Sequence, residues 1–151
     1  MPIDVHVDHA RRLVVARATG VLTDGDVFGY QRETWSRADV AGYDELVDMM
    51  GVKRIELPSA ARARDLASVA SGMDRPGRPS RFAIVAPQDE AFGLGRMYQA
   101  FREMDPTSAK EVAVFRTTEE ALALLGAKGP LGLDDAGAAA PGGTAPRAEG
   151  S

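Results

Sequence analysis

The chain has 151 residues, 18 basic and 22 acidic, a net charge of −4 and no cysteine. The length fits one domain, since domains cluster near ~100–150 residues and one of that size buries roughly two-thirds of its unfolded surface. The composition excludes disulfides, thiolate metal sites and Cys nucleophiles, offers no basic face for nucleic acid, and contains no run near the ~20 apolar residues of a membrane helix.

The opening segment, MPIDVHVDHARR, interleaves charges and lacks the apolar stretch of a secretory signal, so a cytoplasmic protein is expected. Residues 2–8 alternate Ile3, Val5 and Val7 inward with Asp4, His6 and Asp8 outward, the period of a strand. His9-Ala10-Arg11 forms a turn, and residues 12–20 (RLVVARATG) a second strand, making a hairpin. Thr23 offers an N-cap with Asp26 three residues on, opening a helix that carries Val27, Phe28, Tyr30 and Trp35. The third strand is residues 43–50 (YDELVDMM), ended by Gly51.

Pro58-Ser59 starts a second helix, with Ala63, Leu66, Ala70 and Met73 along one face. Residues 74–80 form a loop, and 81–86 (RFAIVA) a continuous apolar strand covered on both sides. After Pro87 comes a helix with Asp89 and Glu90 in its first turn, where their charge suits the helix dipole. Ala91, Leu94, Tyr98 and Phe101 line its buried face, and Met97 and Met104 widen it, until Pro106 stops it. Residues 111–116 (EVAVFR) give strand five, and Thr117 to Glu120 a full capping box on a last helix closed by Gly126. The stretch 127–151, mostly Gly, Ala and Pro, cannot bury enough surface to offset its ordering entropy and reads as a disordered tail. The domain is thus 1–126, α/β, with order β-β-α-β-α-β-α-β-α and a mixed five-stranded sheet in which the hairpin adds the antiparallel strand.

This order resembles the STAS domain of anti-sigma-factor antagonists, a fold shared with CRAL-TRIO lipid-transfer domains, and more closely the bacterial SpoIIAA-like family. RLVVARATGVLTDGDV (12–27), YDELVDM (43–49), FAIVAPQDEAFGLGRMY (82–98) and VFRTTEEALALLG (114–126) carry the resemblance. It implies a non-enzymatic regulatory or binding module acting through protein contacts. Its alternative is a carrier or sensor of a small apolar or amphipathic, lipid-like ligand. Fold alone confers neither activity. In phosphorylated STAS antagonists the strand corresponding to LVDMMGV leads into a turn with Asp, a phosphorylatable Ser and Gly. Here Glu56 stands for the Asp, Leu57 for the Ser, no Gly follows, and Ser59 comes two places late. The departure argues against a kinase-driven switch.

Candidate chemistry is sparse. His6 and His9 have no third ligand for a metal. Gly93-Leu94-Gly95-Arg96-Met97-Tyr98 lacks the third Gly of a dinucleotide motif and lies inside a helix. Both glycines are expected to let the helix approach a neighbour. Tyr30 and Trp35 read as packing residues, and Met49, Met50, Met73, Met97 and Met104 mostly as core filling. No catalytic residue, cofactor or metal is expected. In open α/β sheets ligands collect at the carboxyl ends of the strands, among helix starts whose free N–H groups favour anionic partners. That places the expected binding surface at Glu56, Ser59, Asp89, Phe92, Arg96 and Thr117, Phe92 supplying an apolar wall and Arg96 a cation. The expected partner is a protein, with a small apolar or anionic ligand as the other candidate.

Overall fold

The computed structural model describes residues 2–57 and 59–126; the expectations about Pro58 and the 127–151 tail lie outside them. The hairpin forms from β1 (Ile3–Asp8) and β2 (Leu13–Thr23), paired antiparallel from Asp8↔Leu13 to Ile3↔Ala18. Arg12 closes its turn at φ 54°, with its N–H bonded to the His9 carbonyl. β3 (Asp44–Glu56), β4 (Ser80–Val85) and β5 (Lys110–Phe115) add in parallel, giving the strand order β1-β2-β3-β4-β5.

Each crossover steps one strand further in the same direction, so right-handed connections put all their helices on one face. These are α1 (Asp24–Trp35), α2 (Ala60–Met73) and α3 (Asp89–Met104), which pack Phe28, Leu66 and Tyr98 against Ala18, Met49, Phe82 and Ile84. The opposite face is covered by α4 (Thr118–Leu125), whose Ala121 and Leu122 meet Leu13, Val15, Leu46, Ala83 and Val85. Phe82 and Ile84 face one layer and Ala83 and Val85 the other, which is why β4 reads as an unbroken apolar run. The mixed five-stranded sheet, its antiparallel hairpin strand and the order of strands and helices along the chain are thus the expected α/β arrangement.

The caps follow the sequence closely. The Asp26 N–H donates to Thr23 Oγ1 at 3.1 Å and the Thr23 N–H to Asp26 Oδ2 at 2.9 Å, a reciprocal box. Ser59 Oγ accepts from the Arg62 N–H at 3.2 Å. Thr117 Oγ1 accepts from the Glu120 N–H, but Glu120 takes the Thr117 hydroxyl proton at 3.0 Å rather than reaching the Thr117 backbone. The expected full box on α4 is therefore a one-sided cap.

Four expectations change. Gly51 does not end β3, which runs on to Glu56. A Cβ there would come within 2.8 Å of Thr19 Cγ2, so the glycine lets β3 pass β2 where their register shifts. The β2–β3 ribbon consequently extends past the last β3–β4 pair, Asp48↔Val85. Met50 and Met104 are not core filling but 56 % and 70 % exposed. Val5 faces the helical layer but stays exposed, because β1 is an edge strand beyond the cover of the helices. Gly95 does meet the sheet, its hypothetical Cβ lying 3.0 Å from Val114, whereas Gly93 faces open space.

Candidate functional site

At the carboxyl ends of the strands most of the anticipated residues already have partners within the fold. Arg116 donates to Asp89 Oδ1 at 2.7 Å and to the Pro87 carbonyl at 3.0 Å, and its guanidinium sits 4.1 Å from the centre of the Phe92 ring. Asp89 and Phe92 are thereby brought together, with Arg116 as a partner that the sequence reading did not select. Glu56 is exposed and pairs with Arg54 at 2.6 Å on its own strand. Ser59 and Thr117 serve as helix caps. Arg96 is exposed and, among the described residues, makes no hydrogen bond or ion pair.

A different feature lies inside. Between the sheet and α1–α3 is a cavity of about 100 Å³. Its wall is carbon: Ala16, Ala18 and Leu22 of β2, Val47, Met49 and Ile55 of β3, and Ile84 of β4 face Val27, Ala63, Leu66, Ala91 and Leu94 of the helices. The space exists because small residues stand where a packed core would place Leu or Ile: Ala16, Ala18, Ala63 and Ala91 all line it.

The cavity is bounded toward the amino ends of the strands by Tyr30, Glu45, Phe82 and Tyr98. Behind them is a buried polar assembly. Glu45 Oε1 accepts from Lys110 Nζ at 2.7 Å, with side chains only 2 % and 7 % exposed. Glu45 Oε2 accepts from the Tyr30 hydroxyl at 2.7 Å and from Trp35 Nε1 at 3.2 Å, while Lys110 Nζ stands 3.2 Å from the centre of the Trp35 ring. Alongside, Arg102 donates to Ser108 Oγ at 3.0 Å, to the Tyr98 hydroxyl at 2.6 Å and to Asp74, which also accepts the Ala109 N–H. Tyr30 and Trp35 thus do more than pack.

Burial decides the direction for Lys110, Tyr30 and Tyr98. It holds the Lys110 ammonium below the ordinary lysine value despite the opposing pull of Glu45. It raises Tyr30 well above the ordinary phenol value, helped by the Glu45 carboxylate, and raises Tyr98 against the opposing charge of Arg102. Every acceptor and cation named in this assembly has a partner within it, as buried polar groups require. No group of three or more His, Asp or Glu able to hold a metal occurs among the described residues.

The sequence carried a signal for these groups. Glu45 alternates with the inward Val47, and Arg102 lies one helical turn beyond Tyr98 on the buried face of α3. Charged residue types argued for solvent, and their partners lie 65 and 28 positions away, beyond any local pattern.

The architecture and the buried site define a layered α/β domain with a SpoIIAA-like fold. It is similar to the crystal structure of an uncharacterised protein of the DUF3478 family from Shewanella loihica PV-4, described as SpoIIAA-like in fold. The match has 18 % sequence identity and a TM-score of 0.53, covering 82 % of this chain and 93 % of that one. No protein-family model matches the sequence, and no curated protein matches it. Among the described residues no helix is long and apolar enough to cross a membrane.

Proposed function

We propose that the domain binds a small apolar molecule, or the hydrocarbon part of an amphipathic one, in the cavity beneath α1–α3, and acts as its carrier or sensor without covalent chemistry. The cavity carries this reading. At about 24 cal/mol per Å³ an unfilled space of this size costs roughly 2 kcal/mol of stability, a substantial share of the ~5–15 kcal/mol of a typical domain. A carbon-walled space also stays dry and accepts apolar guests. The polar groups nearby are consumed by one another, which supports binding over catalysis.

Toluene, followed by ligand-observed NMR and titration calorimetry on the full chain, is the test. Saturable binding that Ala63→Leu abolishes, while the fold and melting temperature hold, supports the reading. Toluene that fails to bind the unaltered protein overturns it. Native mass spectrometry of freshly purified protein then identifies the natural guest by its co-purified mass.

A regulatory module acting through protein contacts is the second reading, favoured by Arg96, exposed and unpaired among the described residues one helical turn beyond Phe92. Under it, Arg96→Ala weakens a captured partner and leaves toluene binding unchanged.

A further inference from the structure

A guest reaches the cavity through one of its walls, and the walls differ in how firmly they are held. The sheet side is held by backbone hydrogen bonds between neighbouring strands. The amino-end wall is backed by the Glu45–Lys110 and Asp74–Arg102 pairs. Between α2 and α3 the buried Leu66, Ala67, Ala70, Ala91 and Tyr98 form part of one continuous core cluster.

The seam between α1 and α2 adds Phe28 of α1 to that cluster, and carries a solvent-exposed polar tie as well. Thr23 and Val27 line the cavity from the start of α1, and Ala63 and Leu66 from the start of α2. Their chain neighbours tie the two helices together: Arg62 Nε donates to Asp24 Oδ2 at 3.0 Å, with side chains 40 % and 28 % exposed. The same guanidinium lies 4.1 Å from the centre of the Phe28 ring on α1. Among the described residues this is the ion pair that joins α1 to α2. Arg62 also has a second acidic neighbour on its own helix, Asp65, with NH1 to Oδ2 at 3.7 Å and Asp65 59 % exposed.

We infer that the α1–α2 seam is the entrance to the cavity and that Arg62 is its latch, bridging to Asp24 and Phe28 when closed and resting on Asp65 when open. The inference rests on the apolar-guest reading. Three features support the assignment. The tie is wet, so water replaces its hydrogen bonds as it breaks. The released guanidinium keeps an acidic partner within its own helix, one turn on. And the residues immediately beside the two ends of the tie, Thr23 and Ala63, are themselves cavity wall, so parting them exposes the interior directly. The exchange involves no change in covalent structure, only the loss of the Asp24 and Phe28 contacts.

The test measures toluene exchange kinetics by NMR on the full chain, alongside its equilibrium affinity. Arg62→Ala is expected to raise both association and dissociation rates about fivefold, the change that ~1 kcal/mol off a barrier produces, and to leave affinity nearly unchanged. Asp24→Asn removes the charge from the same tie at α1 while keeping an acceptor, and is expected to shift the rates in the same direction, which guards against a local effect of the Arg62 change on α2. Arg64→Ala, on α2 but outside the tie, should leave the rates as they are. If toluene binds and both Arg62→Ala and Asp24→Asn exchange it at the original rate, the entrance lies elsewhere and this inference fails alone. If toluene does not bind the unaltered protein, the cavity reading fails and the entrance with it.

Discussion

Replacing Glu45 by Gln removes one negative charge from the buried assembly and almost no volume. The amide oxygen can still accept from Tyr30 and Trp35, but the amide nitrogen then faces Lys110 Nζ, which stands 2.7 Å from the carboxylate in the unaltered protein. Two donors cannot satisfy each other. The lysine either remains charged and unpaired, which costs about 3–5 kcal/mol in a buried site, or gives up its proton. Removing a proton at pH 7 from a group that ordinarily holds it to about 10.4 costs roughly 4–5 kcal/mol. Both routes give the same magnitude, so Glu45→Gln should lose about 4 kcal/mol by urea unfolding near neutral pH. If the lysine takes the neutral route, the unfolded chain binds one more proton than the folded one. The variant then regains about 1.4 kcal/mol per pH unit as the pH rises toward the ordinary lysine value. Lys110→Met in the Glu45→Gln background should restore most of the loss, because it removes the stranded charge. A Glu45→Gln penalty below about 1 kcal/mol, or one that Lys110→Met does not relieve, refutes the assignment of this pair as a desolvated ion pair.

Two further outcomes follow from the same geometry. Gly95→Ala should destabilise by about 1–3 kcal/mol because its Cβ would crowd Val114, whereas Gly93→Ala, facing open space, should stabilise by up to about 1 kcal/mol; equal thermal shifts in the two would contradict the packing of α3. In alkali, Tyr30 and Tyr98 hold their protons more firmly folded than unfolded, so stability should fall as the pH rises beyond the ordinary phenol value of 10.0. Lys110 acts the other way below 10.5, since its folded affinity is lowered and the unfolded chain binds more protons there. Urea melts should therefore show stability giving way above pH 10, and a stability that keeps climbing through that range would contradict buried phenols.

The sequence by itself determined what rests on short range. Element order follows from hydrophobic period, and helix starts follow from Thr23, Ser59 and Thr117, whose hydroxyls reach backbone groups three residues on. The two-sided burial of β4 follows from its unbroken apolar run. The anticipated rim was legible as a location, since the ends of parallel strands are fixed once their order is known. Tertiary structure decided the rest. Whether Arg116 would take Asp89 and Phe92 for itself depends on β5 lying beside β4. Whether Gly51 ends a strand or lets it pass Thr19 depends on what the neighbouring strand brings opposite. The cavity arises from alanines on β2, α2 and α3, each a good core residue alone, whose missing volumes coincide only once the layers are stacked. Glu45 and Lys110, charged types that belong in water on any local rule, are buried because partners from β3, β5 and α1 converge on them. Local patterns encode which side a residue faces, but the partner that makes a buried charge tolerable, or the gap that makes a pocket, exists only where distant segments meet.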